Sequence, residues 1–198
     1  MTIRKRCVIF ALGLLGTPSL QAQQLYLKTN TLAWGMLVSN MAVELKASPH
    51  WSFTLPVYFS AWDYFSSTVK FRTFTLQPEA RYWFSEKEGW FAGAHAGLAY
   101  YNFAWGGKWR VQDYDCDSPA LGGGLSGGCR WPFGKQKRWL VECSLGVSVY
   151  RLHYSKFHNR PNGLLARSEK KTFWGIDQAA ITLAYMFNLH KRKVHAAL

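Results

Sequence analysis

Long apolar runs are what this sequence lacks most plainly. Within its 198 residues, nothing after the N-terminal leader approaches the roughly 18 consecutive apolar residues that a membrane helix needs. A transmembrane helix is therefore excluded. Acidic residues are scarce, with 11 Asp and Glu against 24 Lys and Arg and a formal net charge of +13. Such an excess usually draws nucleic acid, but an exported chain does not meet that partner, and anionic lipid headgroups are the fitting counterpart. Cysteine is sparse too, at 4 residues. One lies in the leader, and the remaining Cys116, Cys129 and Cys143 are an odd set that excludes a fully paired disulfide framework. None follows the apolar run closely, which excludes a lipoprotein anchor. The glycine-rich LGGGLSGG at Leu121–Gly128 precedes no helix and is no phosphate loop; its small residues leave room for large side chains opposite.

The leader has a charged start (Arg4, Lys5, Arg6), an apolar run from Cys7 to Gly16, and a cleavage region ending at Ala22. That is the layout of a secretory signal peptide. The expected organisation is a signal peptide at 1–22, one β-domain at 23–187 and a basic tail at 188–198. The 17% aromatic content and 17 glycines fit an all-β domain.

The clearest stretch is Lys70–Phe84, KFRTFTLQPEARYWF. From Phe74 every second residue is apolar and those between are polar up to Arg81, the period-2 signature of a strand with one greasy and one wet face. Its length exceeds the roughly 5–6 residues usual in soluble sheets and suits a membrane strand of about 9–11. Similar alternation marks Leu25–Leu32, Met41–Ala47, Trp51–Ser60, Trp90–Tyr101, Leu121–Trp131, Trp139–Leu152 and Phe173–Phe187. Residues 103–119 and 153–172 read as long polar loops. Folding Lys70–Phe84 onto the following strand sets Phe84 opposite Trp90, Tyr82 opposite Ala92, Leu76 opposite Leu98 and Glu79 opposite His95, so one register matches both faces. A second hairpin sets Arg130 opposite Glu142 and Cys129 opposite Cys143. Pro56 and Pro78 fall at nearly one level, where a bulge or ladder break is expected.

Eight strands joined by alternating short and long connections predict an all-β, eight-stranded antiparallel up-and-down transmembrane β-barrel. Its even strand number lets the sheet close on itself. The soluble rival is a lipocalin-like binding barrel with the apolar face inside. The leader, the strand-end aromatics (Trp51, Phe84, Trp90, Trp131, Trp139, Phe187) and the mid-strand charges favour the membrane. On that reading Lys28, Asn30, Glu44, Lys46, Glu79, Arg81, His95, Arg130 and Glu142 form a polar network in the lumen. Opposite charges meet there, Arg130 with Glu142 and Glu79 with Arg81 and His95. Cys129 and Cys143 are either a cross-strand disulfide or two lipid-facing thiols. Asp113, Asp115 and Asp117 lack the rest of a calcium loop, so no metal or cofactor is expected.

His153-Tyr154-Ser155 resembles the His-x-Ser pair of outer-membrane lipid A deacylases, which are also eight-stranded barrels. That resemblance implies Ser155 as nucleophile and His153 as base, with Glu169 the nearest acid. A broader resemblance rests on LKTN at Leu27–Asn30, WDYF at Trp62–Phe65, Lys70–Phe84, Trp139–Glu142 and Arg151–Tyr154. These phrases are similar to those of the uncharacterised small outer-membrane β-barrel proteins of Bacteroidota. The resemblance implies location and fold without catalytic residues. Some members resemble proteins encoded near fimbrial components, which implies a surface or assembly role. The expectation is a monomeric, non-enzymatic protein of the cell outer membrane. Its expected partners are membrane lipid, lipopolysaccharide and fimbrial or other surface proteins, with no nucleic acid. The basic residues Lys156, Arg160, Arg167, Lys170 and Lys171 are available to lipopolysaccharide phosphates.

Overall fold

The computed structural model describes residues 24–63, 66, 68–113 and 118–188. The expected signal peptide, the loop residues Asp115, Cys116 and Asp117, and the tail beyond Asn188 lie outside them. The chain is all-β and antiparallel. Its strands are β1 (Gln24–Asn30), β2 (Ser39–Lys46), β3 (Trp51–Asp63), β4 (Val69–Leu76), β5 (Glu79–Trp83), β6 (Trp90–Trp105), β7 (Trp109–Asp113), β8 (Ala120–Phe133), β9 (Trp139–His158) and β10 (Leu165–Asn188), with one short helix, α1 (Thr31–Gly35), after β1.

These segments fill eight positions of one up-and-down ring. β4 and β5 lie in line between β3 and β6, and β7 and β8 lie in line between β6 and β9. β10 then pairs with both β9 and β1 and closes the circuit. One lap shows how sequence pattern becomes architecture. The paired residues Phe187, Leu25, Leu45, Phe53, Ala80, Ala94, Leu125, Val147 and Ile176 follow one another round the ring, all apolar. One residue along each strand runs the lap Met186, Tyr26, Glu44, Thr54, Glu79, His95, Gly124, Ser148 and Gly175. The first lap faces outward: Leu45, Phe53, Leu125, Val147 and Ile176 are all exposed. The second faces inward, with Glu44, Thr54, Glu79, His95 and Ser148 buried. Each lap returns to β10 well above its start, the stagger that tilted strands require in a closed sheet.

The expected hairpin registers hold: Tyr82 faces Ala92, Leu76 faces Leu98, Arg130 faces Glu142 and Cys129 faces Cys143. The strand expected over Lys70–Phe84 is interrupted at Gln77 and Pro78, as the two prolines foretold. It is a ladder break without a bulge, because Val57–Leu76 and Thr54–Glu79 keep one register. Gln77 N donates to Pro56 O at 3.2 Å and Ala96 N to Pro78 O at 3.0 Å. The return bonds are missing because neither proline has an N–H.

The two long polar loops are corrected. Residues 103–113 carry the end of β6 and all of β7, and residues 153–172 carry the ends of β9 and β10. Over the outer ends of β9 and β10 alternation fades because both faces of the sheet are largely polar, whereas over 103–113 the apolar Phe103, Trp105, Trp109 and Val111 share one face but are interrupted by the turn at 106–108 between β6 and β7. The end asymmetry therefore lies in strand length. β9 and β10 run 20 and 24 residues, whereas β1 and β2 have 7 and 8.

Candidate functional site

The inward residues of the lower ring form a charge cluster sealed from solvent. Lys28 Nζ lies 2.9 Å from Glu44 Oε2 and 2.9 Å from Glu142 Oε1. Arg81 donates to Glu142 Oε1 at 2.8 Å and to Glu79 Oε2 at 2.6 Å. Arg130 donates through Nε to Glu142 Oε2 at 2.8 Å and through Nη2 to Glu44 and Glu142. Three cations thus meet three carboxylates, each shared between strands far apart in sequence. Every one of the six is at most 3% exposed. Charges this deep persist only when mutually paired and hydrogen-bonded.

Aromatic rings frame the cluster. The Arg130 guanidinium sits 4.7 Å from the Tyr26 ring centroid and 4.4 Å from that of Trp83, and Arg81 lies 4.3 Å from that of Phe91. Trp83 Nε1 donates to Ser52 Oγ at 2.9 Å. Below, Glu88 accepts from Tyr26 at 2.8 Å and reaches Arg130 at 3.4 Å, while Lys46 Nζ donates to the Glu86 carbonyl at 3.0 Å. Asn30 is buried at the upper rim of the cluster and caps α1 through its side-chain oxygen. Beside the charges is a cavity of about 20 Å³, lined by Arg81, Glu142, Thr54, Gln178 and others. That is room for about one water. Thr54 Oγ1, Arg81 Nε and Gln178 Oε1 are buried with no protein partner and are the polar groups such a water would satisfy.

The structure brings all nine residues of the expected network into the interior, but one contact differs. Glu79 and His95 are paired in register, yet Glu79 bonds Arg81 and Ser126. His95 Nε2 turns instead to Asp177 Oδ2 at 2.9 Å. Asp177 also accepts from Gln77 at 2.8 Å and from Tyr150 at 3.3 Å. It is the extra residue where the β9–β10 register shifts between Ile176 and Gln178, and such a bulge re-aims a side chain. Strict alternation would not have found it. Tyr26, Trp83 and Phe91 were findable from parity alone. Glu88, in a connection, was not.

The inward glycines make room for these groups. A Cβ on Gly124 would come within 2.8 Å of His95 Nε2, and one on Gly97 within 1.8 Å of the Tyr150 hydroxyl.

His153 and Ser155 lie on the other face of the same strand, near its outer end. Ser155 Oγ is 2.9 Å from Ser168 Oγ. Glu169 faces inward, accepting from Tyr154 at 2.6 Å and pairing with Lys156 and Arg167. The acid therefore sits across the sheet from His153. Cys129 and Cys143 are both free thiols. Asp113 is buried and accepts from Tyr101 N at 3.2 Å; the other two aspartates of the calcium pattern lie outside the described residues. Among the described residues no helix is long and apolar enough to cross a membrane.

A family model described as "Protein of unknown function (DUF3575)" matches residues 8–187. No curated protein matches the chain, and no solved structure matches it.

Proposed function

The chain belongs to DUF3575, a family of proteins of unknown function, and we propose that this member is a small, eight-stranded β-barrel of the cell outer membrane. It acts as a structural or surface-interaction protein, with its lumen closed by the charge cluster. The observation that carries this reading is the inverted burial. Arg130, Glu142, Glu44 and Lys28 are sealed inside, while Trp51, Phe53, Leu55, Leu125, Leu145 and Trp131 are each more than 40% exposed. A soluble sheet with this pattern would expose a continuous apolar wall, far beyond the few hundred Å² that soluble monomers tolerate. In lipid the wall is solvated, and closure of the sheet satisfies the backbone. A lipocalin-like protein would bury this same face.

The ends of the wall support the reading. Trp51, Phe84, Trp90, Trp131, Trp139 and Phe187 gather at the end bearing the short connections, with Trp51 5.3 Å from Tyr82 and Trp139 5.0 Å from Tyr185 between ring centroids. Such aromatic girdles sit at membrane interfaces. At the opposite end, outward positions above Val149 and Phe74 turn basic, at Arg151 and Arg72, as proximity to lipid phosphates would favour.

Nine of the ten tryptophans are exposed, and Trp83 is fully buried. In vesicles whose acyl chains carry bromine, tryptophan fluorescence should fall strongly, leaving a residual component from Trp83 and from the outer-end Trp105 and Trp109 that Trp83→Phe lowers. Equal emission in brominated and ordinary vesicles would overturn the reading.

A further inference from the structure

The wall is not equally tall all round. β1 pairs with β10 only over Thr182–Asn188, and β2 reaches β3 only as far as Phe59. From Leu165 to Ile181, β9 is the only strand paired with β10 among the described residues. α1 covers the foot of this open edge, where Thr31 Oγ1 donates to the Ile181 carbonyl at 2.7 Å and Asn30 Nδ2 to that of Ala179 at 3.3 Å. Above it the described chain provides no partner. The edge of β10 and the end of β3 (Ser60–Asp63) flank a notch in the outer half of the ring.

We infer that the outer edge of β10, Leu165–Phe173, docks an extended acidic segment of a partner protein, which joins the sheet as an added strand. The inference rests on the membrane reading above, which leaves this edge outside the apolar belt. An unpaired edge is a template for strand addition, and natural edges are commonly blunted by proline, a bulge, charge or extreme shortness. β10 has no proline, is the longest of the described strands, and keeps one regular register over Arg167–Phe173, between its shifts at Leu165/Arg167 and Ile176/Gln178. Its charge selects the partner. Arg167, Lys170 and Lys171 stand on this stretch against Glu169, and Glu169 is engaged with Lys156 and Arg167. Lys170 and Lys171 have no carboxylate within ion-pair distance among the described residues. Exposed Leu165, at 55%, supplies apolar contact at the outer end of the stretch. A second copy fits poorly, because β10 laid antiparallel on itself over Leu165–Phe173 sets Lys171 against Arg167 and Glu169 against Glu169.

Full-length protein in lipid nanodiscs is panned with a phage library of random decapeptides, against empty discs and against the Lys170→Glu/Lys171→Glu variant. Selected peptides should be rich in Asp, Glu and β-branched residues. They should bind the variant about tenfold or more weakly and slow hydrogen exchange at the amides of Leu165–Phe173. Inserted protein that enriches nothing over empty discs overturns the inference alone, as do peptides that bind the variant equally well or protect other strands. Protection of the same amides without peptide, in a dimer, assigns the edge to a second copy and overturns it too. A sample that never inserts, seen as no gel shift on boiling, overturns the membrane reading and this inference with it.

Discussion

At the scale of single residues, the interior balances three cations against three carboxylates, and each member is held by partners on other strands. Removing one leaves a buried charge without compensation. Arg130→Met should cost about 3–5 kcal/mol, read as a lower urea midpoint in detergent micelles; an unchanged midpoint would show that Lys28 and Arg81 suffice. Gly97→Ala should cost about 1–3 kcal/mol by overpacking, because its Cβ would lie 1.8 Å from the Tyr150 hydroxyl. Tyr150→Phe should relieve only part of that, since ring carbons remain 2.6 and 2.8 Å away. A double-mutant cycle reads the difference. The inward placement of the nine expected residues was legible in the sequence because strand parity carries a side chain to a face. Asp177 was hidden by a bulge that parity cannot see. The expected Glu79–His95 pairing holds in the register, but the imidazole bonds Asp177 instead, because a cross-strand register fixes Cα neighbours and not which way a ring turns.

At the scale of elements, Pro56 and Pro78 each delete one hydrogen bond on opposite sides of the same strand. Pro78→Val returns an N–H facing the Ala96 carbonyl and should add about 1 kcal/mol, again by urea midpoint; no gain would mean the break is imposed by something other than the missing donor. The prolines were legible because their chemistry is local. The outer halves of β9 and β10 were not, because a sheet polar on both faces has no period to read. At the outer rim, Asp63 joins β3 to β4 through Arg72 at 2.9 Å and Lys70 at 3.6 Å. Burial alone would push the Asp63 carboxyl up, but the hydrogen bonds and charge of Arg72, with Lys70, outweigh it and hold the carboxyl below its ordinary range. A depressed folded-state value means the contact stabilises above the ordinary carboxylate range and is lost as pH falls through the depressed value. Amide protection factors at the Asp63–Lys70 end of the hairpin, taken relative to the intrinsic exchange rate at each pH, should fall on acidification below about pH 4, and Asp63→Asn should show that lower protection already at neutral pH.

At the scale of the whole molecule, two laps of one ring, one apolar and one polar, decide which solvent each face meets. Alternation announced both faces but not which was inside, since a soluble barrel and a membrane barrel share the same period. Burial shows which face is inside, with the polar lap closed off and the apolar lap exposed, and that is the support for the proposed membrane reading. The most direct test of the central claim is fractionation of cells producing the full chain, followed by gel electrophoresis with and without boiling. The account predicts recovery in the outer-membrane fraction, resistant to carbonate extraction, with a compact fast band that shifts to its full apparent mass on boiling. Recovery in the soluble periplasm with no shift would contradict it.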